Sequence, residues 1–299
     1  MDLVIRCANL PAPGQTVLAE SSTEFCGGKG ANQAVAAALA GGSVSMIGAV
    51  GSDAFADRLI DNLLRHQVDC GSVWRRTESP SGLAVISVDD QGQNSIMVVP
   101  GANGLLTVDD VEAASETICN SDLLLIQLEI PQEAVLAGTR LARQAGVSIV
   151  LDPAPAPADL SPELFEVDLL CPNESEAATL IGQPVTSVDE AGVAAQELHR
   201  RGARNVAITL GESGTLLSGE SLEGDQAILI PAFPVDVVDT TAAGDAFAGA
   251  LAVRWSISGD LHDAVRYANA AGALAASNQG AQASMAPSTE IENLFSTQR

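Results

Sequence analysis

Asp239-Thr-Thr-Ala-Ala-Gly-Asp-Ala-Phe-Ala-Gly249 joins polar turn residues directly to a run of small apolar helix formers. This pattern predicts the start of a buried helix. Ala242, Ala243 and Gly244 have no bulk to keep a ligand from the backbone. The unpaired N–H groups of a first helical turn, with the positive end of the helix dipole, suit an anion such as a phosphate. Asp245 would face that anion from one turn further in. The alternative is that the Asp and Thr oxygens only cap the helix or complement its dipole.

The composition limits the classes of ligand. The chain has 299 residues, of which 46% are hydrophobic, enough for one large α/β domain or a domain with a smaller appendage. Its formal net charge of -24 disfavours nucleic acids and anionic membranes as partners. We therefore expect small-molecule ligands. An anionic one would need backbone N–H groups, a metal ion or a rare basic side chain around it.

Targeting and redox features predict a cytoplasmic protein. No apolar run reaches the roughly 18 residues of a membrane span, and the first residues show no signal-peptide pattern. The five cysteines are widely separated, so we expect reduced thiols rather than a disulfide framework or a zinc site.

Apolar strand patterns alternate with helical ones over most of the chain. Buried strands are predicted at 122–127, 147–151, 168–171 and 206–210, and helices at 131–145, 174–181, 191–201 and from about 242 and 260. The alternation predicts an α/β fold, a three-layer α/β/α sandwich with a mostly parallel sheet. The segments at about 3–26 and 82–100 do not fit it. We expect them to form a small β-sheet lid within a single domain of residues 1–299.

Polar residues or glycines follow several of the predicted strands. They are Glu129, Asp152, Asn173, the turn at 209–214 and the stretch that begins at Asp239. In open parallel sheets, ligands bind beyond the carboxyl ends of the strands. The sequence therefore predicts a polar cleft at this edge of the sheet, beneath the lid.

Lys29 is the only lysine among the 14 basic side chains, and it lies in Gly27-Gly-Lys-Gly-Ala-Asn-Gln33. This stretch fits neither the P-loop nor the dinucleotide-binding pattern. Its glycines allow close backbone approach to a small ligand. The amide of Asn32 can donate and accept hydrogen bonds, as the vicinal hydroxyls of a sugar require. An ordinary Asn at a helix start is the alternative.

Two further stretches suit a nucleotide. Asn173-Glu-Ser-Glu176 places two oxygen-bearing side chains on one helical face, where they could hold a hydrated Mg²⁺ near phosphates. The alternative is a helix cap followed by a solvated acidic turn. Thr209-Leu-Gly-Glu-Ser-Gly214 is a turn along which a nucleotide could lie.

Together these stretches resemble the ribokinase-like family of carbohydrate kinases over nearly the whole chain. Gly27–Gln33 resembles the N-terminal signature of that family, and Asp239–Gly249 resembles its C-terminal one. Gln127-Leu-Glu129 and Pro153-Ala-Pro155 are most similar to the members that act on D-ribose. The resemblance implies ATP-dependent phosphorylation of D-ribose at its 5-hydroxyl, giving D-ribose 5-phosphate. A kinase for another sugar or a nucleoside (2-deoxyribose, fructose) and a catalytically impaired sugar- or nucleotide-binding homologue are the alternatives.

The resemblance also implies roles for individual residues. It makes Asp245 the catalytic base, above an anion hole of Ala242, Ala243 and Gly244. It assigns the sugar to Asp2, Gly28, Lys29, Gly30, Ala31, Asn32, Glu129 and Asp245. It assigns ATP to Asn173, Thr209, Leu210, Gly211, Glu212, Ser213, Gly214, Gly244 and Asn269. Mg²⁺ would be held by Glu176 through water, and a monovalent cation, usually K⁺, by Asp239, Thr241, Ala275, Asn278, Gly280 and Ser284. Oxygen ligands of this kind suit a hard cation. A homodimer formed through the lid sheet is implied as well.

The beginning of the sequence departs from the family pattern. Members of the family begin with a buried strand that leads into an Asn-x-Asp sugar-binding turn, whereas this sequence starts at Met1-Asp2. Either this start lies downstream of the true one, or the protein has lost its first core strand, which we expect to be missing from the sheet. The consequences would be a gap in the sheet and weaker sugar binding.

Overall fold

The first third of the chain combines a four-stranded sheet with one strand pair and two helices. The computed structural model describes residues 1–220, 222 and 227–297. Its first elements are β1 (Asp2–Arg6), β2 (Ser21–Phe25), α1 (Lys29–Leu39), β3 (Ser45–Val50), α2 (Ala54–Arg65), β4 (Asp69–Arg75), β5 (Leu83–Val88) and β6 (Asn94–Val99). Four of these strands form a sheet in the order β2-β1-β5-β6, in which β1 runs parallel to β5. The segment at 82–100 forms the antiparallel pair β5–β6 of this sheet.

The rest of the chain builds the central sheet and its helices. Its elements are α3 (Val108–Ala113), α4 (Ser115–Cys119), β7 (Leu123–Ile126), α5 (Gln132–Ala145), β8 (Ser148–Leu151), β9 (Leu169–Leu170), α6 (Glu174–Ile181), α7 (Val188–Arg201), β10 (Asn205–Thr209), β11 (Thr215–Gly219), β12 (Ile228–Ile230), α8 (Ala243–Ser258), α9 (Leu261–Ala276) and α10 (Ser288–Phe295). The sheet order is β12-β11-β10-β9-β8-β7. The four strands from β7 to β10 are parallel, and β11 pairs antiparallel with both β10 and β12. The prediction of a mostly parallel sheet is confirmed.

Side chains on the two faces of this sheet enter different apolar clusters. Ile149 and Leu151 of β8 pack with Ala134 of α5 and Leu198 of α7. Val150, which lies between them on the same strand, packs instead with residues of α8 and α9. Because successive strand residues point to opposite faces, the sheet is covered by helices on both sides. The three-layer arrangement follows.

The strands β3 and β4 form a separate parallel pair. Ala49 of β3 and Ile126 of β7 share one apolar cluster. Within the described residues, however, no hydrogen-bonded strand joins β3 to β7. The absence of a first core strand stays a prediction, as do the single-domain organisation and the action of the four-stranded sheet as a lid.

Two further expectations concern the state of the cysteines and membrane-spanning segments. All five cysteines are free, with Cys7 and Cys171 buried and Cys119 exposed. Among the helices of the described ranges, none has the length and apolar character needed to cross a membrane.

Helices α1 and α8 pack unusually closely through small residues. A Cβ atom on Gly249 of α8 would lie 2.6 Å from the carbonyl oxygen of Gln33 and 2.7 Å from the Cβ of Ala36. Such distances are far inside van der Waals contact, so only glycine fits between these backbones. The close packing brings the first turn of α1, with Asn32 and Gln33, next to the first turn of α8.

We predict that Gly249→Ala destabilises the protein by about 1–3 kcal/mol, because the added methyl group meets backbone atoms that cannot move aside. Urea unfolding followed by circular dichroism measures the change. Gly192→Ala in α7 is the matched control, since a Cβ there has no neighbour within 4 Å. Helix propensity alone should make that variant more stable by about 0.5–1 kcal/mol. Equal shifts in the two variants would refute the packing argument.

Candidate active site

Asp245 is buried in the first turn of α8, with 6% of its surface exposed. Two side-chain amides of α1 hold its carboxylate. Asn32 Nδ2 donates to Oδ2 at 2.9 Å, and Gln33 Nε2 donates to Oδ1 at 3.1 Å. Burial raises the pKa of Asp245, whereas Lys29 and the two amides act to lower it. The carboxylate is thus fixed in place and is a stronger proton acceptor than an exposed aspartate.

The backbone at the start of α8 is open to a ligand. Ala242, the N-cap residue, has φ 59° in the left-handed region, and no side chain caps the helix. The capping interpretation of Asp239-Thr-Thr241 is therefore wrong. A non-glycine residue in this conformation costs on the order of 1 kcal/mol and is typical of functional sites.

The N–H groups at this helix start differ from the predicted anion hole in one member. The N–H of Ala243 donates to the Thr240 carbonyl at 3.2 Å, so it is not available. In the part of the chain that the structure describes, the N–H groups of Ala242, Gly244 and Asp245 have no protein acceptor. A Cβ on Gly244 would meet nothing within 4 Å, so there is open space beside this backbone. The geometry fits a phosphate.

The sugar-binding candidates from three parts of the chain gather around Asp245. Asp2, at the start of β1, lies so close to Gly27 that a Cβ there would be 1.9 Å from its Oδ2. The backbone N–H of Lys29 donates to Glu129 Oε2 at 3.1 Å. Burial raises the pKa of both Asp2 and Glu129, and the charge of Asp245 raises both further. These carboxyl groups therefore share one pocket.

The remaining sugar candidates lie at the same helix start. Gly28 caps α1 with φ 96°, a conformation that favours glycine. A Cβ on Gly30 would be 3.0 Å from Gln127 Oε1, and Ala31 packs into the cluster that contains Ala246. Asn32 is already engaged, because its oxygen accepts from Gln282 Nε2 at 2.9 Å and its nitrogen donates to Asp245. Direct contact of Asn32 with a sugar stays a prediction.

Lys29 is the cation of this acidic pocket. Burial lowers the pKa of its ammonium group, but nearby carboxylates outweigh burial and leave the pKa above its ordinary value. Those carboxylates are Asp245, Asp152, Glu176 and Glu129. The only lysine of the chain therefore remains charged at the centre of the site.

The nucleotide candidates line the carboxyl end of β10. Thr209 donates its backbone N–H to Pro172 and forms a parallel bridge with Asn173. Gly211–Ser213 forms an exposed 3₁₀ turn between the buried Leu210 and Gly214. An exposed backbone turn of this kind can accommodate a nucleotide.

Asn269 is differently placed from the other nucleotide candidates. It is buried, accepts from Thr215 Oγ1 at 2.7 Å, and donates through Nδ2 to the carbonyls of Ile230 and Pro231. These bonds tie α9 to β11 and to the end of β12. Contact of Asn269 with ATP stays a prediction.

Glu176 forms a capping box with Asn173. Its Oε2 accepts from the Asn173 N–H, and its own N–H donates to Asn173 Oδ1, both at 2.9 Å. The cap interpretation is confirmed. The second carboxylate oxygen of Glu176 has no protein partner within the described ranges, so it is available to a water molecule on Mg²⁺.

The cation candidates lie in two loops that Asp239 joins and, for Ala275, in the last turn of α9. Its Oδ1 accepts from the Thr241 N–H at 2.9 Å and its Oδ2 from the Gly280 N–H at 3.0 Å. Ala275 is buried in α9, and the buried Ser284 donates its hydroxyl to Ala281. The side chain of Asn278 folds back to the Leu274 carbonyl. The loops present carbonyl, hydroxyl and amide oxygens, a donor set that fits a hard monovalent cation.

Residues 1–289 match the family described as pfkB family carbohydrate kinase. The chain belongs to this family and is a carbohydrate kinase. It is 37% identical over 296 residues to the deoxyribokinase of Salmonella typhi, covering 99% of this chain and 95% of the relative. It is 39% identical over 296 residues to the ribokinase of Bacillus subtilis, covering 99% and 96%. The structure of Arabidopsis thaliana ribokinase complexed with ribose and ATP superposes with a TM-score of 0.88 at 30% identity, covering 98% of this chain and 95% of that one.

Several amide side chains of the kinase site were missed by the sequence reasoning. Gln127 Nε2 donates to Gln33 Oε1, and Gln33 in turn contacts both Asp245 and Asp152. Gln282 supports Asn32 from a loop distant in the sequence. Gln33 and Gln127 lie in stretches that resemble the family signatures, but no sequence signal marks Gln282.

We predict that Gly244→Ala weakens binding of Mg·ATP to the kinase by about tenfold or more, because a methyl group would fill the space beside the free N–H groups. Thermal stability should be retained, since the methyl group meets no protein atom. Isothermal titration calorimetry and thermal unfolding separate the two effects. Gly192→Ala is again the control, with wild-type affinity expected. Wild-type affinity in Gly244→Ala would contradict the placement of the anion.

Proposed function

We propose that this kinase transfers the γ-phosphoryl group of ATP to the 5-hydroxyl of D-ribose. The observation that carries the proposal is the Asp245 carboxylate, fixed beside the free N–H groups of α8 and facing the pocket of Asp2 and Glu129. A proton acceptor, an anion cradle and polar groups for a sugar thus meet in one place. The similarity to proteins named ribokinase supports D-ribose as the acceptor.

Asp245 acts as the general base. The 5-oxygen of the sugar forms a bond to the γ-phosphorus, the bond from that phosphorus to the β,γ-bridging oxygen breaks, and ADP leaves. The hydroxyl proton passes to an Asp245 oxygen. Lys29 and the amides of Asn32 and Gln33 favour the ionised carboxylate, which is the form that can accept a proton.

Developing negative charge is stabilised at the start of α8. The N–H groups of Gly244 and Asp245 have no protein acceptor among the described residues, the space beside Gly244 is open, and the helix dipole would add to their effect on a phosphoryl group. Lys29 supplies positive charge from the opposite helix. Mg²⁺, when bound with the nucleotide, neutralises phosphate charge, and Glu176 would hold one of its water ligands.

We also propose that the loops joined by Asp239 hold K⁺ with the candidate residues Asp239, Thr241, Ala275, Asn278, Gly280 and Ser284. The two hydrogen bonds of Asp239 tie the cation loop to the turn that precedes α8. A filled cation site would keep Ala242 in its left-handed conformation. Replacement of K⁺ by Na⁺ in the assay tests this role, and equal rates in both salts would contradict it.

The four-stranded sheet is proposed to close over the sugar and to pair with the same sheet of a second copy. Asp2 at the start of β1 links this sheet to the sugar pocket. On β6, the apolar side chains of Ile96, Met97, Val98 and Val99 are each more than half exposed. Since neighbouring residues point to opposite faces, both faces of this edge strand are uncovered. Sedimentation velocity of wild type and Met97→Glu tests the dimer; a monomeric wild type would exclude it.

A kinase for 2-deoxyribose is the second candidate. The 37% identity to a deoxyribokinase over almost the full length favours it specifically. The two sugars differ by one hydroxyl group, which one or two hydrogen bonds distinguish. Fructose and nucleosides have weaker support. The assembled base and cradle argue against an impaired homologue.

An ATP-consumption assay across a panel of sugars tests the proposed substrate. The panel comprises D-ribose, 2-deoxy-D-ribose, D-fructose and adenosine. We predict that D-ribose gives the highest kcat/KM, because the carboxylates of Asp2 and Glu129 can each accept hydrogen bonds from sugar hydroxyls. A preference for 2-deoxyribose would change the assigned acceptor from D-ribose to 2-deoxyribose and leave the proposed phosphoryl transfer unchanged. No consumption above background with any of them would refute the proposed function.

We predict that Asp245→Asn lowers kcat by about 10²-fold or more, the usual size of a general-base contribution. KM should change less than kcat, because Asn keeps the shape of the side chain although it can accept from only one of the two amides of Asn32 and Gln33. Steady-state kinetics with the preferred sugar measures both. Asp236→Asn, at an exposed position in the preceding loop, is the control and should match wild type. Near-normal turnover in Asp245→Asn would exclude the base mechanism.

A further inference from the structure

A second buried carboxyl group lies next to the proposed base. Asp152 follows β8 and has 8% of its surface exposed. Its Oδ2 accepts from Gln33 Nε2 at 2.6 Å, and the same nitrogen donates to Asp245 Oδ1 at 3.1 Å. One amide NH₂ group therefore joins two carboxyl groups, one hydrogen to each. The phosphoryl transfer described above does not use Asp152.

The orientation of this bridging amide is fixed. Gln33 is only 1% exposed, and its oxygen accepts from Gln127 Nε2. Because the oxygen side is occupied by a donor, the NH₂ side must face the two carboxyl groups. Asp152 and Asp245 are therefore coupled through a rigid, solvent-excluded contact.

If both carboxyl groups joined by Gln33 were ionised, their two negative charges would lack enough positive charge nearby. Among the described residues, Lys29 is the cation whose charge acts on both Asp152 and Asp245, and it already faces Glu129 and Glu176 as well. Leaving a buried charge unpaired is strongly unfavourable, so such a pair retains one proton.

The hydrogen bonds decide which carboxyl group retains the proton. Asp245 accepts from two amides, those of Asn32 and Gln33, and lies at the positive end of the α8 dipole. Asp152 accepts from Gln33 alone and lies at a strand end without a helix dipole. More donors and the dipole favour the ionised form of Asp245.

We propose that Asp152 is a positioning residue that holds the single proton of the Asp152–Gln33–Asp245 bridge and so keeps Asp245 ionised and oriented for the sugar hydroxyl. This inference rests on the proposed function only for its consequence on catalysis. The placement of the proton stands on the geometry of the bridge.

The charges around Asp152 agree with this assignment. Burial raises its pKa to about 8, and the carboxylates of Glu176 and Asp245 raise it while Lys29 and Gln33 act to lower it. The groups that face Asp152 from the neighbouring elements are Glu176 of α6, Lys29 of α1, Asp245 of α8 and Cys171 after β9. The pKa of the buried Cys171 thiol lies well above its ordinary value and that of Lys29 is also raised. Neither changes charge near pH 8.

The consequence for catalysis appears at alkaline pH. Once Asp152 ionises, it competes with Asp245 for Lys29 and adds negative charge where an anionic phosphate must bind. We therefore expect kcat/KM of the wild type to fall about tenfold between pH 7 and pH 9, following a group with pKa near 8. If Asp152 had only a packing role, it would not cause this alkaline fall in kcat/KM.

The first experiment compares the pH profiles of wild type and Asp152→Asn. Asparagine keeps the shape and the acceptor for Gln33 but stays neutral at every pH, so the alkaline fall should disappear. The assay is kcat/KM for D-ribose between pH 6 and pH 10 at saturating Mg·ATP. Asp159→Asn, at an exposed position on the same loop, should keep the wild-type profile. An unchanged alkaline fall in Asp152→Asn would overturn the proposal.

The second experiment needs no catalysis. With its folded pKa near 8 and an ordinary value of 3.8, Asp152 contributes stability that is fully present below about pH 4 and lost as the pH rises through 8. The melting temperature of wild type should therefore fall relative to Asp152→Asn between pH 5 and pH 9. If the variant does not fold, Asp152→Ser, neutral and smaller, serves the same comparison.

The two experiments separate this inference from the proposed function. Parallel melting temperatures of wild type and variant at all pH values would overturn the proton assignment while leaving the sugar kinase intact. Diverging melting temperatures, in a protein that phosphorylates none of the sugars, would retain the proton assignment and refute the proposed function.

Discussion

The hydrogen bonds from Asn32 and Gln33 to the Asp245 carboxylate join the first turns of α1 and α8, and the site is arranged around them. They form only because Gly249 lets the two helix backbones touch. The parallel sheet also supports the position of α1, since it places Asp152 and Glu129, which bond to Gln33 and Lys29, at the carboxyl ends of neighbouring strands. The Asp245 carboxylate is therefore held by the packing of the fold as a whole, and a change in helix spacing would move it.

The acidic composition of the chain is unfavourable for binding an anion at this site. A chain with a net charge of -24 must bind an anionic nucleotide beside several buried carboxyl groups. Within the described residues, positive potential comes from local sources such as Lys29 and the free N–H groups at the start of α8. A retained proton on Asp152 would remove one negative charge from the same pocket. Each of these contributions is short-ranged, so it acts inside the site without altering the overall field.

The parts of the structure that depend on local sequence were predictable. The alternation of apolar strands with helices predicted the central sheet, because buried parallel strands and their crossover helices have distinct patterns. The motif stretches predicted where Lys29, Asn173 and Asp245 would lie. The strand β4, which contains Asp69-Cys-Gly-Ser-Val, was missed because a polar strand with glycine has no apolar run.

The amide network and the free helix start were beyond sequence reasoning. Gln282 and Gln127 contact the site only through the tertiary packing of separate loops. Asp239 was a plausible cap, but it bonds to Thr241 and Gly280 instead, which leaves the α8 N–H groups open. A crystal structure with D-ribose and a non-hydrolysable ATP analogue would show directly whether Asp245 is the general base. We expect the 5-hydroxyl oxygen to lie within about 3.2 Å of an Asp245 carboxylate oxygen. A 5-hydroxyl that contacts Asp152 instead, or neither carboxyl group, would contradict it.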